Sequence, residues 1–251
     1  MKIQTIHNLK LPYTKKIKGL NWILNRLVRI VENIIIRKAT INSCVGKNTT
    51  EDNIIISLTT YPARTEKVIW TIKSLLNQNV WVDRLILWLA EEQYPNKDVP
   101  QVISEFEKYG LEICFCDDIK SHKKYYYTML NNPEAVVITA DDDVIYPENT
   151  VEKLLKKHWE YPNAVICNQA RWINIKKGEF APYKEWSVKI SKQIDRPDYK
   201  ILPIGEGAVL YPPFSLDKEV FDKSKIEKYA MSADDLWLKL MAVINGTKAA
   251  V

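Results

Sequence analysis

The chain has 251 residues, 46% hydrophobic and 27% charged, an ordinary globular composition that excludes wholesale disorder. That length suffices for one large α/β domain plus a short extra segment. A formal charge of +5 and a pI near 8.8 suit an anionic substrate or an anionic membrane surface, and are too mild to argue for a nucleic-acid partner.

The N-terminus lacks the compact apolar run and small-residue cleavage site of a signal peptide, and no stretch approaches the roughly 20 apolar residues needed to span a bilayer. The four cysteines, Cys44, Cys114, Cys116 and Cys167, form no CxxC pair and have no histidine at ligand spacing. A zinc site is therefore not expected, and a reduced cytosolic compartment is the simplest reading. Cys114 and Cys116 would share one face of a strand. The sequons at Asn48 and Asn245 are read as chance matches.

Residues 15–38 carry Leu20, Ile23, Leu24, Leu27, Val31, Ile34 and Ile35 at helical spacing. Lys15, Lys16, Lys18, Arg26, Arg29, Arg37 and Lys38 accompany them against a single acid, Glu32. A basic amphipathic helix of this kind lies in the headgroup layer of anionic lipid or on a partner; the plainer alternative packs it on the main domain. The expected location is cytoplasmic, peripheral at the inner face of the plasma membrane. Residues 39–52 are polar and read as a linker, which separates an N-terminal segment, 1–52, from a domain over 53–251.

From Asn53 the pattern changes. Ile54–Leu58 is a continuously apolar strand of the kind buried on both faces of a mostly parallel sheet. A helix beginning near Thr65 carries Val68, Ile69, Ile72, Leu75 and Leu76. Strands follow at Arg84–Leu89, Leu111–Cys116, Ala135–Thr139 and Ala164–Cys167. Helices are expected over roughly 98–109 and from Pro147 through Trp159, since proline suits a first helical position. The alternation predicts an α/β fold, a mostly parallel sheet flanked by helices, with ligands beyond the carboxyl ends of the strands.

The strand at 135–139 runs into Asp141-Asp142-Asp143. Three adjacent carboxylates repel one another unless a cation or donor groups compensate. Carboxylates combined with substrate phosphates are the usual way of holding Mg²⁺ or Mn²⁺. An acidic turn satisfies the same residues without a ligand, but a turn needs one such side chain and three stand here. The loop Thr59-Thr60-Tyr61-Pro62-Ala63-Arg64 offers backbone N–H groups and a guanidinium to a base or phosphate; alternatively Thr65 caps the helix and Arg64 is a surface cation. In Ser121-His122-Lys123-Lys124-Tyr125, Lys124, or failing it Lys123, could counter a diphosphate; a solvated basic turn is the alternative. Arg171 and Trp172 open a stretch rich in Lys, Arg, Trp and Tyr, including Tyr183 and Trp186, suited either to an anionic acceptor or to core packing. Ser232-Ala233-Asp234-Asp235 is a second acidic site. Ser232 as an N-cap with acids in the first turn would explain one aspartate but does not require two.

The strand, Asp141-Asp142-Asp143, Val144-Ile145-Tyr146-Pro147 and the following helix resemble the DxD region of GT-A glycosyltransferases. They are most similar to exostosin-type enzymes and bacterial capsule or lipopolysaccharide transferases, over about residues 53–251. The resemblance implies a UDP-sugar donor, with Asp143 binding Mn²⁺ or Mg²⁺ while Asp141 and Asp142 hold the ribose. It places the base of the nucleotide at the loop of Thr60, Tyr61, Pro62 and Arg64, and the segment containing Gly207 under the donor sugar. It makes Asp235 the catalytic carboxylate, with Asp234 on the substrate side; Arg171 joins that side on the composition of its own stretch alone. The family's acidic pair is usually Glu-Asp, so Asp234 is a departure that leaves its role open. Domains of this family commonly continue beyond the helix of Asp235, so the chain is either minimal or truncated. The implied function is transfer of a sugar to a glycan or glycolipid acceptor in cell-surface polysaccharide synthesis, inverting or retaining. The alternatives are a non-catalytic partner of the same fold and, last, a nucleotidyltransferase, whose Gly-rich phosphate loop is missing from TTYPAR.

Overall fold

The computed structural model describes residues 40–46, 51–187 and 196–251, together with Ile34. The amphipathic segment 15–38, Ile34 apart, lies outside the described residues, as do 188–195.

In chain order the domain opens with β1 (Ile54–Thr59), α1 (Thr65–Leu76), β2 (Arg84–Ala90), the one-turn α2 (Gln101–Ser104) and β3 (Leu111–Cys116). It continues with α3 (Lys123–Asn131), β4 (Val136–Ala140), α4 (Thr150–Glu160), β5 (Val165–Cys167) and β6 (Ala170–Trp172). A hairpin, β7 (Ile175–Lys176) and β8 (Glu179–Phe180), precedes β9 (Ile201–Pro203) and β10 (Val209–Tyr211). Helices α5 (Lys223–Tyr229) and α6 (Asp234–Ile244) lead to β11 (Ala249–Ala250).

Seven strands form the central sheet in the order β11-β5-β10-β4-β1-β2-β3. All its neighbours are parallel except β10, which runs antiparallel to both β4 and β5. Ile54, Ile55, Ile56 and Leu58 of β1 are fully buried, as a strand covered on both faces requires. One face packs beneath α1 and α4 through Val68, Ile72, Leu75, Val151, Leu154 and Leu155. The other packs beneath α3 and α6 through Tyr125, Tyr126, Trp237, Leu238 and Met241. The expected mixed α/β architecture with a mostly parallel sheet is what the chain forms.

Local departures have local causes. The helix expected over 98–109 is reduced to α2 and a separate 3-10 turn at Glu107–Tyr109, because Ile103 is the only buried anchor of α2 and Gly110 (φ 99°) ends the run. Helix α4 starts at Thr150; Pro147 instead closes the preceding turn, its carbonyl accepting from Thr150 N–H at 3.0 Å. Residues 40–46, polar enough to read as linker, are packed: Cys44 is buried, its N–H donates to the Leu76 carbonyl, and Val45 bridges to Val82. On edge strand β3, Cys116 is buried and Cys114 half-buried.

Helix α3 went unrecognised in the sequence, since Lys123 and Lys124 at its start mask an inward-facing side. One buried polar node fixes it to the sheet. The Thr128 hydroxyl lies 2.7 Å from the Ser57 hydroxyl of β1 and accepts from Trp88 Nε1 of β2 at 2.7 Å. Thr128→Val should strand both partners and cost about 1–3 kcal/mol of unfolding free energy by urea denaturation, while Thr128→Ser should retain most of it.

Candidate active site

Parallel neighbours β1 and β4, in register at Leu58 and Ala140, end side by side. Their carboxyl ends deliver the loop from Thr60 to Arg64 and the run Asp141–Asp143 to one place. Because β10 is antiparallel, with Val209 opposite Thr139, the segment entering it at Gly205–Ala208 reaches the same end. The carboxyl end of β3 leads into α3, which brings Lys124, and α6 begins there with Asp234 and Asp235. The result is one cleft of about 300 Å³, lined by Thr59, Arg64, Ser121, Lys124, Ala140, Asp141, Asp142, Asp143, Asp234 and Asp235.

The charges inside are paired in an ordered way. Lys124, with its side chain 5% exposed, lies 2.6 Å from Asp141 Oδ1 and 2.8 Å from Asp234 Oδ2, bridging the two acidic sites. Burial alone would lower its pKa, but Asp234, Asp141 and Asp235 outweigh that and hold the ammonium well above the usual lysine range. Burial likewise opposes ionisation of Asp234, yet Lys124 and the Ser121 hydroxyl, donating at 2.9 Å, keep it below the usual carboxylate value. Asp142 is the most buried member of the triplet; it accepts from Thr60 Oγ1 at 2.7 Å and pairs with Arg64. That bond, against the drag of desolvation, raises the Arg64 pKa. Arg64 also lies 3.3 Å from Asp143, the most exposed of the three, and donates to the Tyr61 hydroxyl at 3.2 Å.

Asp235 behaves differently. Its carboxylate accepts the Gly205 N–H at 3.1–3.2 Å. Burial pushes its pKa from 3.8 up to about 6, against the pull of Lys124 and aided by the charge of Asp234. Gly205 is part of the same construction, since a Cβ there would sit 3.0 Å from Asp235 Oδ1, 3.1 Å from Lys124 Nζ and 3.2 Å from Asp141 Oδ1.

Asp141, Asp142, Asp143, Asp234, Asp235, Arg64 and Lys124 are thus brought together. Thr60 stands behind the cleft as a donor to Asp142, and Tyr61 and Pro62 are exposed beside Arg64. Lys123 turns away to pair with Asp118, and the buried environment of both lysines overturns the solvated-turn alternative. Arg64 is not a free surface cation, and Thr65 does not cap α1: its hydroxyl donates to the Pro62 carbonyl. The capping account of Ser232 fails as well, because Ala233 occupies the N-cap and no side chain caps α6. Two placements differ from expectation. Gly207 backs onto Gln169, where a Cβ would meet side-chain carbons at 2.7 Å, so Gly205 is the glycine at the acidic centre. Arg171 lies outside the cleft lining, stacked 4.6 Å over the Tyr183 ring and donating to the Trp186 carbonyl at 3.3 Å. Ser121 and Gly205 were missed, although both stand within motifs that the sequence displays.

Among the described residues no group of three or more His, Cys, Asp or Glu is arranged to hold a metal by itself. The donor set nevertheless fits a hard divalent cation that completes its shell with substrate phosphates, a common mode for Mg²⁺. Five carboxylates face the cleft against two cations, and Asp143 presents its carboxylate with the side chain 37% exposed.

No protein-family model and no curated protein matches the chain. Among solved structures it is similar to 2-C-methyl-D-erythritol 4-phosphate cytidylyltransferase from Francisella tularensis, with a TM-score of 0.45 and 10% identity. The match covers 76% of this chain and 86% of that one, a likeness too distant to bear on activity.

The raised Asp235 value carries a stability consequence. Between 3.8 and about 6 the folded state holds a proton that the unfolded state has released, so stability falls as pH rises through that window. Asp235→Asn should therefore be more stable than the natural chain at pH 7, on the order of 1–3 kcal/mol, with the gain vanishing near pH 4. Denaturation at both pH values checks this.

Proposed function

We propose that the protein is a metal-dependent glycosyltransferase that moves a sugar from a UDP-sugar donor to a hydroxyl of a glycan or glycolipid acceptor in cell-surface polysaccharide synthesis. The observation that carries the reading is the convergence of two acidic sites, 93 positions apart from Asp141 to Asp234, on one buried lysine.

Asp143 would hold Mn²⁺ or Mg²⁺, which when bound neutralises charge on the diphosphate leaving group. The protein's own residues account for the rest. The exposed Tyr61 ring offers a flat surface to the base, and Arg64 fixes it from behind while orienting Asp142. Asp141, held by Lys124 and by its own N–H donating to the Tyr146 hydroxyl at 2.8 Å, is positioned to accept from the ribose. Gly205 keeps the floor of the cleft open between them. Asp235 is the acceptor-side carboxylate. With a pKa of about 6 it is ionised at neutral pH yet basic enough to take the proton of an acceptor hydroxyl in an inverting reaction. In a retaining one it orients that hydroxyl while the leaving phosphate takes the proton.

Calorimetry should show UDP binding that requires Mn²⁺ or Mg²⁺ and weakens at least about tenfold in Asp143→Ala, the loss of one charged ligand. Asp235→Asn should keep that binding while donor turnover falls by about 10²–10⁴-fold. Metal-independent UDP binding unchanged in Asp143→Ala would refute the site, and metal-dependent binding with no turnover under any acceptor would point to a non-catalytic partner. Release of pyrophosphate from a nucleoside triphosphate and a sugar phosphate would instead assign a nucleotidyltransferase.

A further inference from the structure

The two cations of the cleft are held differently. Lys124 is wedged between Asp141 and Asp234 with its side chain 5% exposed, so burial fixes its place. Arg64 stands at the rim, its side chain 34% exposed, nearly as open as Asp143. One terminal nitrogen, Nη1, serves both neighbouring aspartates. It donates a short hydrogen bond to Asp142 Oδ1 and lies 3.3 Å from Asp143 Oδ2. The first contact is the tight one and the second the loose one.

The guanidinium therefore competes for the carboxylate assigned to the metal. A divalent ion bonded to Asp143 Oδ2 at about 2.1 Å would sit within about 5.4 Å of Arg64 Nη1. Positive charges that close in a partly buried cleft repel strongly, and salt screens them little at such range. Arg64 must loosen from Asp143 before the ion settles. Its other contacts let it do so without stranding a charge. Asp142, with its side chain 7% exposed, keeps the Thr60 hydroxyl at 2.7 Å wherever the guanidinium turns. Tyr61 guides the movement, since its hydroxyl accepts from Arg64 Nε at 3.2 Å and its ring centroid lies 5.4 Å from the guanidinium carbon.

We propose that Arg64 is a built-in counterion of Asp143, exchanged for the divalent cation when a nucleotide diphosphate enters the cleft. This rests on the metal–nucleotide reading of the cleft and adds the regulation of that site. Without nucleotide the guanidinium occupies Asp143, and the metal binds weakly. The diphosphate draws the N–H groups of Arg64 to itself, since the planar fork suits phosphate oxygens, and Asp143 is released to the metal. Metal and nucleotide then bind with positive coupling, each raising the affinity of the other by the same factor. The device keeps the cleft from loading a metal that has no substrate to act on.

The test titrates Mn²⁺ alone into the full chain and follows the free ion by electron paramagnetic resonance. Arg64→Gln removes the charge and should bind Mn²⁺ about tenfold or more tightly than the natural chain, a gain where a residue serving only the ligand gives none. The gain should persist in about 0.5 M NaCl, which would erase a long-range field effect. Added UDP should raise Mn²⁺ affinity by a smaller factor in Arg64→Gln than in the natural chain. Because the variant could fold poorly, nuclear magnetic resonance of the natural chain gives a second readout. Saturating Mg²⁺ should move the Arg64 Nε–Hε resonance, assigned by its disappearance in Arg64→Lys. Equal or weaker Mn²⁺ binding in folded Arg64→Gln, or a resonance that Mg²⁺ leaves in place, overturns the counterion role while the metal–nucleotide site stands. Absence of Mn²⁺ binding in both proteins even with UDP removes that site, and the counterion role with it.

Discussion

The ammonium of Lys124 is the point on which the cleft depends. It is buried between Asp141, at the end of β4, and Asp234, at the start of α6. A buried charge without partners is untenable, and two or three neighbouring carboxylates without a cation are equally so. Each side therefore needs the other, and the two halves of the domain meet where the pair is satisfied. The polar node at Thr128, one helical turn beyond Lys124, sets the height at which α3 presents it. Gly205 supplies the remaining condition, a backbone with no side chain where three charged atoms converge.

Charged and hydroxyl partners gather more closely around Asp141, Asp142 and Asp234 than around Asp143 and Asp235. The first three are held by Lys124, Arg64, Thr60 and Ser121. Asp143, 3.3 Å from Arg64, is the most exposed of the triplet, and Asp235 accepts a backbone N–H while lying near other acids. A domain selected for stability alone would not keep that arrangement. Residual negative charge and a carboxyl with a raised pKa are what a site for a cation and a proton transfer requires.

Much of the architecture was legible because it follows from simple patterns. Strands β1 to β5 are runs of apolar residues bounded by polar ones, and α1 repeats its apolar positions at helical spacing. The acidic cluster and its place at a strand's carboxyl end could be read in the same way. What could not be read depends on tertiary placement. A pair of lysines gives no sign that both are buried, so α3 and the central role of Lys124 were not visible. Two glycines in Gly205-Glu206-Gly207 look alike until one is found against Asp235 and the other against Gln169. Ser232 has the composition of a helix cap, yet the backbone turns one residue later, at Ala233. Residues 40–46 look like linker because the sequence does not reveal that Cys44 fills a gap beside Leu76 and Val82.

If both acidic sites and Lys124 form a single metal–nucleotide centre, a crystal grown with UDP and Mn²⁺ will reveal it, the metal being located by its anomalous scattering. A manganese peak is expected against Asp143, with the diphosphate on its far side within reach of the cleft and Asp235 open to the acceptor side. Nucleotide bound elsewhere, or a cleft that stays closed on its own ion pairs with no metal at Asp143, would contradict it.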